Sequence, residues 1–114
     1  MGTESLPAAP RHYASLPVSR SVLERRLSEI TDRVRALKEE LRIADEQLAH
    51  FAEEADDARL RALVSETPLA EHEHTEAQKH ADAMARHRAA VVAELADLER
   101  TQDDLLDRLI AESK

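Results

Sequence analysis

Between Leu23 and Ala62, small or apolar residues recur at alternating steps of four and three: Leu23, Leu27, Ile30, Val34, Leu37, Leu41, Ala44, Leu48, Phe51, Ala55, Ala58 and Ala62. A repeat of about 3.5 residues, held for over five heptads, keeps one stripe of a helix facing a partner helix; neither a strand nor a loop produces it. The stripe must be covered, so the spacing predicts a long helix packed against another. Composition agrees with that reading. Only 2% of the 114 residues are aromatic and 35% are charged, and there is one Gly and no Cys or Trp. A chain so poor in aromatic residues and so rich in Ala, Leu, Glu, Asp and Arg points to long helices rather than to a thick core with a pocket. Without cysteine there is neither a disulfide framework nor thiolate chemistry, which fits a reducing cytoplasm. No stretch approaches the roughly 18 consecutive apolar residues of a membrane span, and the first twenty residues lack the apolar centre of a signal peptide. A cytoplasmic protein with no membrane partner is expected.

Residues 1–18 contain three of the four prolines, Pro7, Pro10 and Pro17, among scattered Leu6, Tyr13, Leu16 and Val18. Proline at that density prevents regular helix, and a disordered proline-rich arm is expected. The first helix opens at Ser19, with Val18 and Leu23 as a hydrophobic staple, or at Ser21, which forms a capping box with Glu24; the two readings differ by two residues. It should run over about 20–64. At Ser65-Glu66-Thr67-Pro68 the pattern breaks. Proline disfavours helical geometry in the residue before it but suits the first turn of a helix, so Thr67 reads as the N-cap of a second helix over about 68–112 and residues 65–67 as the turn.

The second helix repeats the spacing less cleanly, through Ala70, His74, Ala77, Ala81, Met84, Arg88, Val91, Leu95, Leu98, Gln102, Leu105 and Leu109. If the chain folds back at the turn, facing positions have numbers summing to about 132. That sum pairs Leu23 with Leu109, Leu37 with Leu95, Leu41 with Val91, Phe51 with Ala81 and Ala62 with Ala70, and all twelve layers align. Two stripes written independently would not match about one turn. The fold class read from the chain is therefore all-α, an antiparallel two-helix coiled-coil hairpin spanning residues 19–114. Layers near the chain ends are made of Leu, Ile and Val, whereas those near the turn are mostly Ala. The tip should be narrower and less stable, with Arg59 within reach of Glu71 and Arg61 of Glu73. Of the polar seam residues, Gln102 faces Ile30 and Arg88 faces Ala44. Arg88 either sets the register or is tolerated by snorkelling outward.

Beside the seam lie Ala85, Val92, Leu106 and Ile110 on the second helix and Val22, Ile43 and Ala52 on the first. Two helices can cover one stripe and have nothing left to cover another, and a pair of helices alone buries little surface. These residues are the expected oligomer or partner interface, in a homodimer forming a four-helix bundle at the end that holds the termini or in docking on another protein. The competing reading has the arm cover them with Leu6, Leu16 and Val18. At the turn, Leu63, Val64, Glu66 and Leu69 are the expected tip contacts.

Chemistry finds little foothold. His72, His74, His80 and His87 with Glu71, Glu73 and Glu76 form the one cluster that suggests a metal. The i, i+4 pairs among them share a face, however, and H-E-x-x-H is absent; the single E-x-x-H is Glu71 with His74, and His74 is a seam position. A solvated helix face explains them, with His80 within reach of Glu54. Without a phosphate loop, nucleophile elbow or concavity, no enzyme, cofactor or metal is expected. The net charge of −8, with twelve acids against six bases in residues 65–114, argues against direct nucleic-acid binding, which needs a basic surface.

These features lead to a non-enzymatic protein–protein interaction module, a self-associating scaffold or adaptor. An alternative is a regulator that inserts its hairpin tip into a larger machine. In outline the rod resembles the coiled-coil hairpins of bacterial RNA polymerase secondary-channel factors such as the Gre family, whose acidic tip acts at the polymerase active site. The resemblance is one of architecture; no motif of that family is matched, and their globular C-terminal domain has no counterpart in these 114 residues.

Overall fold

The computed structural model describes residues 19–113. The arm expected over residues 1–18 lies outside them, as does Val18 of the possible staple. Two helices make up the described residues, α1 (Arg20–Ser65) and α2 (Pro68–Glu112). Each follows from local chemistry at its ends. Ser19 caps α1, its backbone extended (φ −66, ψ 153) and its hydroxyl accepting from the Val22 amide at 3.4 Å. Of the two capping serines, Ser19 is therefore the one used, and Ser21 lies within the first turn. No residue from there to Ser65 breaks the helix, so its 46 residues extend over about 69 Å at 1.5 Å per residue.

The reversal takes only two residues. Glu66 adopts the left-handed conformation (φ 50, ψ 37) and donates its amide to the Ala62 carbonyl at 3.0 Å. That bond satisfies a carbonyl the last turn would otherwise leave open. It also carries α1 one residue past the expected end. Thr67 is extended (φ −107, ψ 151), as a residue before proline must be, and its hydroxyl accepts from the Ala70 amide at 3.2 Å. Pro68 then starts α2 with its φ already set for helix.

The helices pack against each other along their length as an antiparallel hairpin. All 24 seam positions named from the repeat are buried or half-buried, and outside the seam only Thr31, Glu40, Glu76 and Thr101 escape full exposure among the described residues. The best-packed block lies where Val34 and Leu37 meet Val91 and Leu95, with Ile30, Leu41 and Leu98 around it. Toward the termini Leu23 and Leu105 are 0% and 2% exposed, and toward the turn the buried residues become Ala55, Ala58, Ala62, Ala70 and Ala81. Each alanine removes one methyl group from water where each leucine removes four carbons, so apolar stabilisation per layer falls toward the tip. At the open end the Arg20 guanidinium donates to the Ser113 hydroxyl at 2.7 Å, tying the start of α1 to the end of α2.

The polar seam residues resolve outward. Arg88 passes over the buried Ala44 to pair with Asp45 of α1. Gln102 donates to the Thr31 hydroxyl at 3.0 Å, so it meets α1 through a neighbour of Ile30. Two expectations are corrected. No ion pair among the described residues includes Arg59, Arg61, Glu71 or Glu73; at a solvated tip such pairs are worth too little to hold long side chains in place. His80 does not pair with Glu54. Glu54 is held by His50 of its own helix at 3.1 Å, while the His80 ring meets Phe51 edge-on, with centroids 6.0 Å apart.

Candidate interaction surfaces

A helix turns by about 100° per residue, so a side chain just before a seam position and one just after it stand on opposite flanks of the hairpin. The inter-helix contacts show how the flanks of α1 and α2 match. Arg33 and Glu94 each precede a seam residue, and they pair with nitrogen–oxygen distances of 3.0 and 3.2 Å. Glu40 and His87 also precede seam residues and approach to 3.4 Å. These bridges lie on one side, the polar flank. Asp45 and Thr31 follow seam residues, and they meet Arg88 and Gln102 on the other side.

That geometry sorts the seven interface residues expected from the sequence. Ala85, Val92, Leu106 and Ile110 of α2 each follow a seam residue and share the second flank, and Ala52, which follows Phe51, is on the same side of α1. Val22 and Ile43 precede Leu23 and Ala44 and stand on the polar flank, where each is isolated among charged neighbours. The seven therefore do not form one stripe. The second flank carries more than was foreseen, because Ala89 and Ala96 complete a row at steps of four and three: Ala85, Ala89, Val92, Ala96, Glu99, Asp103, Leu106, Ile110. This is the seam repeat displaced by one residue, a signal present in the sequence but masked by the stronger seam beside it. Every member of the row is exposed, with Val92 at 39%, Leu106 at 42% and Ile110 at 57%.

On α1 the same flank is basic, with Arg35, Lys38 and Arg42 following or flanking seam positions opposite Glu99 and Asp103 of α2. A hollow of about 240 Å³ opens there between Thr31, Val34, Arg35, Lys38 and Gln102. Arg35 is within 3.3 Å of Asp32, and Arg42 is clamped between Glu39 at 2.6 Å and Glu46 at 2.7 Å. The hydrogen bonds from Arg42 hold the Glu39 carboxyl below the usual carboxylate range, and the paired carboxylates in turn raise the Arg42 guanidinium.

The second exposed surface is the tip. Leu63, Val64 and Leu69, expected there from the sequence, are 63%, 85% and 67% exposed, and Leu60, which sequence reading missed, is 54% exposed. Glu66 joins them at the turn, exposed, with no ion pair to its carboxylate among the described residues. A hollow of about 450 Å³ lies against the turn, lined by Ala62, Leu63, Glu66, Thr67, Pro68 and Glu71. A third hollow, of about 440 Å³, lies on the polar flank between Glu54, Asp57, Ala58, Arg61, Glu73 and Ala77.

Neither surface encloses a reacting group. Among the described residues no group of three or more His, Asp or Glu side chains is placed to hold a metal ion, and no helix is long and apolar enough to cross a membrane. His72 and His74 turn to different sides of α2, and His80 and His87, which share the polar flank, are about two turns of helix apart. The chain matches no family model, no curated protein and no solved structure.

Proposed function

We propose that this chain is a non-enzymatic protein–protein interaction module of the cytoplasm, a coiled-coil hairpin that acts as a scaffold or adaptor and pairs with a second copy of itself through the second flank of α2. One observation carries the reading. The row from Ala85 to Ile110 has the spacing of a helix-packing seam and has no helix against it in the hairpin. A row of that kind, nearly four heptads long, loses apolar area to water unless another helix covers it. The basic residues of α1 on the same flank can face Glu99 and Asp103 of a second copy, which would match charge as well as apolar surface. The rod is two helices thick and its hollows lie at the surface, which supports binding rather than catalysis.

Sedimentation equilibrium tests the pairing. The chain should fit a dimer, and Val92→Glu with Leu106→Glu should shift it to a monomer while leaving helix content unchanged, because both side chains are exposed in the single hairpin. A monomer at high protein concentration, or a dimer untouched by the two substitutions, refutes it. A second reading, in which the tip enters a larger assembly, is favoured by the exposed aliphatic residues at the turn.

A further inference from the structure

We infer that the hairpin tip is a docking end for a protein whose surface carries an apolar groove rimmed by lysine and arginine. The inference rests on the second reading above and specifies its partner. Leu60, Leu63, Val64 and Leu69 are all more than half exposed and gathered within ten residues around the turn. Elsewhere among the described residues the exposed large aliphatic side chains are Val22, Ile43, Val92, Leu106 and Ile110, of which only Leu106 and Ile110 fall within ten residues of each other, so a group of four occurs only at the turn. Four aliphatic side chains held in water around a doubly capped turn cost burial that the chain could recover only against another surface.

Charge selects among the candidates for that surface. Residues 53–76 hold eight carboxylates against two arginines, three-quarters of the net charge of the whole chain. Within that stretch only Glu54 and Glu76 are in ion pairs among the described residues. The other six carboxylates project a field that repels nucleic-acid phosphates and anionic lipid headgroups and attracts a cationic rim. Glu66 sharpens the point. It occupies the left-handed position that glycine fills most easily, and it lines the hollow together with Leu63 and Glu71 without an ion-pair partner among the described residues. A partner that seats the aliphatic cluster in a groove would bring its basic rim onto Glu66 and Glu71.

The test is site-directed photo-cross-linking with the full-length chain in its host. A photoreactive residue is placed at Val64, with a control at the exposed shaft residue Ala93, and the protein found in the adduct is then purified and titrated. Expected results are an adduct at position 64 and none at 93, a cross-linked peptide lying in an apolar, Lys/Arg-bordered groove, and binding that weakens with added salt. Leu63→Ser with Leu69→Ser, and separately Glu66→Lys with Glu71→Lys, should each weaken the purified pair at least tenfold without changing the thermal midpoint by more than a few degrees. Several outcomes overturn the inference: no adduct at 64, the same adduct at 93, adducts with nucleic acid, lipid or a second copy of the chain, or a purified partner indifferent to both double variants. Sedimentation of the same tip variants separates the two proposals. The dimer should persist in both tip variants, and if it dissociates the flank assignment falls; if position 64 of the unaltered chain gives no adduct while that chain is a dimer, only the docking inference falls.

Discussion

Replacing Leu37 and Leu95 by alanine, singly and together, tests the register on which every other assignment depends. Leu37 is 1% exposed and Leu95 is 9% exposed, both in the tightest block of the seam. Truncating a buried leucine costs about 2–5 kcal/mol, the transfer of the lost carbons plus the cavity left behind. In a layer only two helices thick the neighbours can close part of the gap, so a loss of about 2–3 kcal/mol is expected for each. Against a total stability of roughly 0.05–0.15 kcal/mol per residue, where a thin core favours the low end, each change removes a large fraction. Because the two leucines touch the same neighbours, the second truncation removes contacts the first has already weakened. The double variant should therefore lose about 0.5–1.5 kcal/mol less than the sum. Urea unfolding followed by far-ultraviolet circular dichroism measures all four chains. They are kept at one protein concentration, since association adds stability by mass action, and in an excluded osmolyte so that the double variant stays folded at the start. Single losses under 1 kcal/mol, or additivity within about 0.3 kcal/mol, would show that the two side chains do not share a layer and would refute the hairpin register.

Two further outcomes follow from the turn and from α1. Glu66→Gly should raise stability by about 0.5–1 kcal/mol, because glycine relieves the left-handed strain at φ 50 even after its greater freedom in the unfolded chain is counted; a lower urea midpoint would contradict the capping role given to that backbone. Glu39 should titrate below the usual carboxylate range in a carbon-detected NMR titration and return to it in Arg42→Gln. A depressed folded-state value means that the Glu39–Arg42 contribution is present above the unfolded-state value and is lost as the pH falls through the folded one, so the helix should be slightly less stable in acid than near neutrality.

The hairpin was legible in the chain because its signal is distributed. Twelve layers, nine of them an apolar or small residue against another, agree on a single fold-back point, and Thr67-Pro68 marks that point by a steric rule that depends on no distant contact. Gln102 and Arg88 do not disturb the pattern, because a long side chain can leave the seam without moving the helix. The change of buried residues toward the tip was also written in the chain, as the step from Leu and Val layers to Ala layers.

The three-dimensional arrangement alone decided where the long polar side chains go and which exposed residues stand together. His80 rests on Phe51 while Glu54 is held by His50, and Arg59 and Arg61 leave Glu71 and Glu73 unpaired, although sequence distance allowed the other choices equally well. Alternative partners for such side chains differ by about 1 kcal/mol or less, too little for residue spacing to rank. The split of Val22 and Ile43 from Val92, Leu106 and Ile110 has a different origin. Spacing along one helix gives the angle of a side chain about that helix, and only the packing of α1 on α2 shows which angles of the two helices open onto the same side.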